Sequence, residues 1–319
     1  MNRIAAAFLS ASLVAGPALG QDYPSRPIHI VVPYTPGTGA DILSRVLGPK
    51  ISERWHAALV TDNKPGAGGN IGAESVARAP ADGYTMLLAA TSFSSNPALS
   101  TALPYDPVKS FAPVALVATG GLGVYIHPSI PAKTLREFIA YTKERPGKLY
   151  YSSPGTGNVQ HLAMELLKQE TGMDITHVPY KGAGGAIADL VGGQVQATVA
   201  ALQTVAAHVH SGRIRMLAIM SAQRSPAFAD VPTLKEQGLP DIEVETWYAM
   251  FAPAGTPEPI VARWNAELNE LLKEADVKEV LAKQGLVAGG GTPQALGERV
   301  KRELARWTGV VKKSGIKAE

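Results

Sequence analysis

Short β-branched runs alternate with helical patterns along almost the whole chain, and this alternation limits the fold more than any other feature. It favours parallel sheets covered by helices. A first block predicts strand Ile28–Val32, helix Asp41–Trp55, strand Leu59–Asp62, helix Asn70–Ala79 and strand Tyr84–Ala90. A second block predicts strand Val124–His127, a helix after Thr134, strand Leu149–Ser152, helix Val159–Thr171, strand Ile175–Pro179, helix Ala186–Val191 and strand Val195–Val199. Two such blocks followed by further helices indicate two doubly wound α/β lobes with a ligand cleft between them.

The first 20 residues have the layout of a cleavable secretory signal. Arg3 precedes an apolar stretch from Ile4 to Ala15, and Ala18-Leu19-Gly20 supplies small residues before a cut at Gln21. The alternative, an uncleaved anchor, is disfavoured because about a dozen apolar residues are too short to span about 30 Å of hydrocarbon. The chain has no cysteine and therefore no lipid-attachment site. We expect an unanchored protein of the Gram-negative periplasm.

The chain that follows the signal is about 300 residues long, enough for two domains. We expect a first lobe built from residues 21–119 and 222–319 and a second lobe built from residues 120–221. The 30 basic and 27 acidic residues give a net charge of +3, and no basic run is interleaved with aromatic residues, so a nucleic acid is not an expected partner. No later apolar run approaches the ~20 residues of a membrane span.

Three glycine-rich loops follow predicted strands and precede predicted helices. We call residues 34–41 (YTPGTGAD) loop one, residues 152–158 (SSPGTGN) loop two and residues 180–185 (YKGAGG) loop three. At the first turn of a helix, backbone N–H groups have no partner within the helix, and the dipole adds about half a positive charge. Small residues let an anion approach this backbone. The alternative is that the glycines serve only turns and caps, but matching loops in opposite blocks favour a carboxylate gripped from both sides.

The candidate ligand-binding residues lie in these loops and at nearby strand ends. They are Tyr34, Thr38, Gly39, Ala40 and Asp41 of loop one; Ser153, Gly155, Thr156, Gly157 and Asn158 of loop two; Gly182 of loop three; and Thr91, Ser92, Ala200 and Trp247. Tyr34 and Trp247 are expected as apolar or stacking walls, with a core position as the alternative for either. The Asp41 carboxylate is better interpreted as a stabiliser of its helix N-terminus than as a general base.

The sequence contains no catalytic or metal-binding pattern that we recognise. It has neither a Gly-x-Ser-x-Gly elbow nor a Gly-Lys-Ser/Thr phosphate loop. His208 and His210 are two residues apart, which points them to different sides of a helix. His161, in the first turn of its predicted helix, is expected to make a local hydrogen bond rather than to contact a ligand. We predict a binding protein without metal or cofactor, with a secreted hydrolase as the alternative class.

An ordered set of motifs resembles a known family over essentially the whole chain after the signal. The motifs are Val32–Asp41 (VPYTPGTGAD), Asn63–Gly72 (NKPGAGGNIG), Asp82–Thr85 (DGYT), Val178–Gly182 (VPYKG), Ser225-Pro226, Asp230–Thr233 (DVPT) and Trp247–Pro257 (WYAMFAPAGTP). They resemble the periplasmic binding proteins of tripartite tricarboxylate transporters, the Bordetella uptake gene (Bug) family. The resemblance implies a type II periplasmic-binding fold with two crossovers between its lobes. It also implies a ligand carboxylate held by backbone amides and waters in loops one and two, and membrane subunits as partners.

Two departures from the family pattern bear on the ligand. Ala200-Ala201 stands where the family often has Asp and a small polar residue, with Gln203 where proline is usual, and Thr35-Pro36 replaces the commoner Pro-Ala. An alanine-lined pocket favours an aromatic or other weakly polar acid over an amino acid, whose ammonium needs a countercharge. Delivery to a transporter is the favoured role, a sensor that presents its ligand to a membrane kinase is the alternative, and we expect a monomer.

Overall fold

Strands and helices alternate through the chain as the sequence predicts. The computed structural model describes residues 23–100, 103–180, 182–240 and 242–316; the predicted signal segment and Lys181 of loop three lie outside them. The strands are β1 (Ile28–Val32), β2 (Leu59–Asn63), β3 (Thr85–Ala90), β4 (Phe111–Ile126), β5 (Tyr150–Ser153), β6 (Thr176–Pro179), β7 (Ala197–Ala201), β8 (Arg215–Ile219), β9 (Glu245–Pro253) and β10 (Leu286–Gly290). The helices are α1 (Gly39–Trp55), α2 (Asn70–Ala77), α3 (Ser92–Leu99), α4 (Leu135–Lys143), α5 (Val159–Thr171), α6 (Ala183–Val191), α7 (Leu202–His210), α8 (Glu258–Leu271), α9 (Ala275–Lys283) and α10 (Pro293–Ser314).

The long strand β4 connects the two halves of the fold. Neighbouring strands run in the order β2-β1-β3-β9-β4-β7-β5-β6, with β10 and β8 also paired to β4. The part of β4 from Phe111 to Gly121 pairs with β9, and the part from Leu122 to Ile126 pairs with β7. The pairs β1–β2, β1–β3, β5–β6 and β5–β7 are parallel. We call the half around β1, β2, β3 and β9 the first lobe and the half around β5 to β8 the second lobe.

Each lobe has apolar layers on both faces of its sheet. In the first lobe, Leu43, Leu47 and Ile51 of α1 pack on one face with Trp264 of α8, and the opposite face holds Phe93, Trp247, Phe251 and Leu296. In the second lobe, Leu162 and Leu167 of α5 cover one face, and Leu190 of α6 and Val205 of α7 cover the other. Because each fully buried large apolar side chain contributes about 1.5–3 kcal/mol, these layers hold each lobe together.

Two further segments join the lobes. The chain between β8 and β9 contributes Leu234, Ile242 and Val244 to the second-lobe core, and the helix α10 runs from the first-lobe core at Leu296 to the second-lobe core at Trp307. The predicted division of the chain at residues 119/120 and 221/222 stays a prediction. The packing of Val244 favours a second crossover just before β9.

Several helix ends carry local caps. The side chains of Thr134, Asn158 and Thr292 accept N–H bonds at the starts of α4, α5 and α10, and Gly172 ends α5 with a φ of 68°. A cap of this kind stabilises a helix by about 1 kcal/mol. The helix α1 continues through Pro49 without a break. Within the residues described, no helix is both long and apolar enough to cross a membrane.

Candidate functional site

The three glycine-rich loops join the carboxyl ends of parallel strands to helix N-termini. Loop one lies between β1 and α1, loop two between β5 and α5, and loop three between β6 and α6. In a doubly wound sheet this is the edge at which ligands bind. Loops two and three are in direct contact, since the N–H of Gly182 donates to the carbonyl of Pro154 at 3.0 Å and the N–H of Tyr180 donates to that of Ser153 at 3.0 Å.

The first turn of α1 is left without a side-chain cap. The Thr38 hydroxyl, which occupies the capping position, donates instead to the carbonyl of Thr35 at 2.9 Å. The N–H groups of Gly39, Ala40 and Asp41 therefore have no acceptor within the helix. Since α1 is 17 residues long and its dipole is directed at this end, the turn is suited to an anion.

The buried Asp41 carboxylate holds loop one in shape by accepting several hydrogen bonds. It is 3% exposed and accepts the N–H of Gly37 at 2.9 Å, the side-chain amide of Asn63 at 3.0 Å and the Nε–H of Arg45 at 3.0 and 3.1 Å. These hydrogen bonds, that from Arg45 first, lower the pKa of Asp41 below its ordinary value although burial opposes them. The carboxylate is thus occupied by the protein, and only the backbone N–H of Asp41 remains for a ligand. This agrees with the structural role expected for the side chain.

Tyr34 and Ser92, both candidate residues, are brought together. Their hydroxyls lie 2.7 Å apart, and the Tyr34 hydroxyl also accepts the N–H of Ala90 at 3.0 Å. Burial raises the pKa of Tyr34 to about 12, so this phenol is neutral. The neighbouring Thr91 is buried, and its hydroxyl accepts the N–H of Trp247 at 2.8 Å. The Thr91 hydroxyl therefore connects α3 to β9, which limits it as a ligand donor.

Trp247 is buried in the first-lobe core, which is the alternative that the sequence left open for it. Its side chain is 0% exposed within the first-lobe core, and its indole N–H donates to Glu303 at 2.6 Å. Successive residues of a strand point to opposite faces, so the next residue, Tyr248, faces the side on which α1 lies. A Cβ placed on Gly39 would meet the Tyr248 hydroxyl at 2.2 Å. Tyr248 is the aromatic residue against loop one, and the period-two alternation of β9 is the signal that could have found it.

Loop two is held by hydrogen bonds among its own residues. The side chain of Asn158 accepts the N–H of His161 at 2.9 Å and donates to the carbonyl of Gly155 at 2.7 Å. The hydroxyl of Ser153, which is fully buried, also donates to the carbonyl of Gly155, at 2.9 Å. The N–H groups of Val159 and of the residue after it have no acceptor within α5. Ser153 and Asn158 therefore shape the loop, and the first-turn amides of α5 present its polar surface.

Gly157 is required by its backbone and by its packing. Its φ of 77° is disfavoured for other residues, and a Cβ there would lie 2.4 Å from Leu99 at the end of α3. The N–H of Gly157 is already donated to His161 Nδ1 at 2.9 Å. The residue consequently places loop two against α3 of the first lobe and does not offer its own amide to a ligand in this structure. The neighbouring Thr156 is partly buried.

The remaining candidates, in loop three and on β7, add little polar surface of their own. Gly182 precedes α6 with no side-chain cap, and a Cβ on it would meet no atom within 4 Å. Ala200 is 7% exposed and packs in the apolar layer of the second lobe with Leu202. Among the described parts of the chain, no group of three or more His, Cys, Asp or Glu residues is arranged to hold a metal ion. The recurring polar groups at this edge are helix-terminal amides, which recognise anions.

Comparison with known proteins identifies the family. Residues 43–316 match the model of the tripartite tricarboxylate transporter family receptor. The chain belongs to this family. It is 36% identical to BugT of Bordetella pertussis over 312 residues, which cover 97% of this chain and 96% of that protein.

Solved structures of similar proteins cover nearly the whole of both chains. An R. palustris protein with adipate has a TM-score of 0.79 and 36% identity, over 93% of this chain and 99% of its own. MatC from Rhodopseudomonas palustris with bound malate has a TM-score of 0.74 and 32% identity, over 91% of this chain and all of its own. The predicted family and the predicted two-lobe α/β fold are confirmed. The family is one of solute-binding receptors, which bind rather than transform their ligands.

Proposed function

We propose that the chain is a periplasmic receptor that captures a small carboxylate between its lobes and delivers it to the membrane subunits of a tripartite tricarboxylate-type transporter. The observation that carries this proposal is the uncapped first turn of α1, where Thr38 turns its hydroxyl to Thr35 and leaves three amides without helix partners. A carboxylate is one of the small anions that such amides accept without Lys or Arg. The adipate and malate bound by the two solved relatives are both carboxylates.

We further propose that the ligand is aromatic or otherwise weakly polar rather than an amino acid. An amino acid needs an acceptor or a negative charge for its ammonium group. In loop one the carboxylate of Asp41 is already occupied by Arg45, Gly37 and Asn63. At the end of β7, Ala200 and Ala201 supply only methyl groups. An uncharged ligand body therefore suits these surfaces better than an ammonium.

Capture is proposed to proceed by closure of the two lobes. The crossovers are assigned to Gly121–Leu122, where β4 changes its partner from β9 to β7, and to Val244–Glu245, where the chain enters β9. A ligand that contacts loops from both lobes binds the closed state better, and this difference in affinity drives closure. Gly157 of loop two packs against Leu99 of α3, so these two residues belong to the surfaces that the lobes bring together on closure. A monomer suffices for this mechanism.

Thermal unfolding of the chain from Gln21 onward, with and without ligand, tests the proposal. Adipate, malate and benzoate are compared with glutamate and glucose at the same concentration. At a concentration 100 times the Kd, a ligand adds about 2.7 kcal/mol to the free energy of unfolding, which raises Tm by several degrees. We expect a shift with at least one of the three acids and none with glutamate or glucose. A shift with glucose alone would refute the anion site, and a shift with glutamate as large as with adipate would refute the preference for weakly polar acids.

A further inference from the structure

Two histidine rings are stacked beneath loop two. The rings of His161, in the first turn of α5, and His177, on β6, have centroids 3.7 Å apart and planes inclined by 12°. His161 is buried, and His177 is half-buried with the ring of Tyr151 at 4.9 Å on β5. Neither histidine belongs to the amide surface of loop two, yet each has a hydrogen bond to a residue of that loop.

The hydrogen bonds indicate where the ring protons lie. Gly157 donates its N–H to Nδ1 of His161 at 2.9 Å, so this nitrogen carries a lone pair and the ring hydrogen is on Nε2. The hydroxyl of Ser153 donates to the carbonyl of Gly155 and lies 2.7 Å from Nε2 of His177. All these contacts are satisfied together when His177 donates its Nε2–H to Ser153. His161, whose Nδ1 accepts, is then neutral, whereas donation from Nε2 alone leaves the charge of His177 to be set by its surroundings.

The groups around the rings also favour the neutral state. The titratable residues that face the pair in the described structure are Tyr151 on β5 and Glu165 and Lys168 on α5, and the latter two form an ion pair at 2.6 Å. Burial, the largest cause, together with the nearby His161 and Lys168, lowers the pKa of His177 to about 3. Burial also lowers the pKa of His161. The negative charge of Glu165 acts against this lowering, and the positive charge of Lys168 adds to it. Since Lys168 already neutralises Glu165, no free negative charge remains beside the rings to stabilise an imidazolium.

We propose that His161 and His177 are positioning residues of the anion site: as a stacked neutral pair they hold loop two in its ligand-binding shape, His161 by accepting the N–H of Gly157 and His177 by donating to the hydroxyl of Ser153. The inference rests on the proposed carboxylate binding and adds the residues that control the loop. Protonation of both rings would place two positive charges 3.7 Å apart, and a proton on Nδ1 of His161 alone already removes the acceptor of Gly157. Loop two then loses its support although no ligand contact has been changed.

The pH dependence has a definite sign. A histidine whose pKa is lowered in the folded protein stays neutral at pH values where a free histidine is protonated. Carboxylate affinity should therefore be constant from about pH 8 to about pH 6 and should fall only as the pH drops below the ordinary histidine range toward the lowered values. An imidazolium that merely attracted the ligand would produce the opposite trend, with tighter binding in acid.

The test combines isosteric variants with titration calorimetry, with adipate as the probe. Asparagine places an oxygen near the position of Nδ1, so His161→Asn keeps an acceptor for Gly157 and does not titrate, whereas His161→Leu removes the acceptor. His177→Gln likewise keeps a donor near the position of Nε2. His210→Leu, on the exposed end of α7, is the matched control. Kd is measured from about pH 4 to about pH 8, so that the range extends well below the ordinary histidine pKa, and the ratio of wild-type to His161→Asn values at each pH cancels the protonation of adipate itself.

We expect His161→Leu to weaken binding about tenfold, the order expected when a buried N–H loses its acceptor. We expect His161→Asn and His177→Gln to retain most of the affinity, with His161→Asn losing the acid-induced weakening, and His210→Leu to change nothing. Nitrogen NMR of the ligand-free protein should show His161 with Nδ1 unprotonated, a readout that remains if His161→Leu fails to fold. A protonated Nδ1, or equal Kd values for His161→Leu and the wild type, would overturn the inference while leaving carboxylate binding intact. Absence of binding of any carboxylate by the wild type would overturn the proposed function, and this inference with it.

Discussion

Replacement of Asp41 by alanine should destabilise the protein by about 3 kcal/mol and should also weaken carboxylate binding. The second effect distinguishes the reasoning from simple electrostatics. Asp41 carries a negative charge at the helix end proposed to bind an anion, so a charge argument alone predicts tighter binding when it is removed. If the carboxylate instead holds loop one in shape, its removal weakens binding, because the amides of the first turn lose their arrangement.

The magnitude follows from the partners of the carboxylate. A hydrogen bond to a charged acceptor contributes about 1.5–3 kcal/mol, and we take the lower value for Gly37 and for Asn63 because neither donor is fully buried. The pair with Arg45 adds about 0.3–0.5 kcal/mol, since it is an i,i+4 pair and the Arg45 side chain is 55% exposed. The two loop bonds therefore account for most of the loss of about 3 kcal/mol.

Urea unfolding of Asp41→Ala, Asp41→Asn and Arg45→Ala, together with the Kd for adipate, measures both effects. We expect Arg45→Ala to cost less than about 0.5 kcal/mol and to leave binding nearly unchanged. Asp41→Asn, which keeps one acceptor oxygen, should lie between the two. Equal losses of stability in Asp41→Ala and Arg45→Ala, or tighter adipate binding by Asp41→Ala, would refute the reasoning.

The same carboxylate predicts a direction for the effect of pH on stability. Its pKa is lowered in the folded protein, chiefly by Arg45, so the unfolded chain binds the proton more readily in acid. The contribution of Asp41 is fully present above the pKa of the unfolded chain and is lost as the pH falls through the lower folded value. The difference in unfolding free energy between wild type and Asp41→Ala should shrink over that acidic interval and stay constant at neutral pH.

Two further substitutions test the surroundings of the site. Gly39→Ala places a methyl group 2.2 Å from the Tyr248 hydroxyl and should lower the free energy of unfolding by about 1–3 kcal/mol. A double-mutant cycle by urea unfolding should show that this loss disappears in a Tyr248→Ala background, and an undiminished loss would disprove the contact. Glu303→Ala leaves the buried indole N–H of Trp247 without its acceptor and should lower the free energy of unfolding by about 2–3 kcal/mol. Glu298→Ala, at an exposed position on the same helix, should change it by less than about 0.5 kcal/mol, and similar urea midpoints for the two variants would contradict this.

The parts of the site that local chemistry determines were predictable from sequence. Asn158 caps the start of α5 and Gly172 ends that helix in a left-handed conformation, and both residue types are typical of these positions. The strand β1 was predicted with its observed bounds, because a run of apolar and β-branched residues between turn signals has few other solutions. In these segments the residues that decide the conformation are neighbours in the chain.

The extent of β4 was not predictable in this way. The sequence predicts a strand only from Val124 to His127, whereas β4 runs from Phe111 to Ile126. The added part contains Pro113 and several glycines, which disfavour a strand interior. It is held by β9 and β10, which lie more than 120 residues later in the chain. Pairing with distant strands outweighs the local propensity, and a single sequence does not display that pairing.

The polar surface of this site consists largely of backbone amides, which every sequence contains, so the sequence information resides in the side chains behind them. Asp41 and Asn63 support loop one, and Ser153, His161 and His177 support loop two. Under the proposed function all carboxylates use the same amides, so a change in a supporting residue should alter the affinity for every carboxylate together. A change in Tyr248, the aromatic residue against loop one, should instead alter the order of preference among carboxylates. Ligand preference and overall affinity should therefore vary independently among variants of this protein, and the two sets of residues can be tested separately.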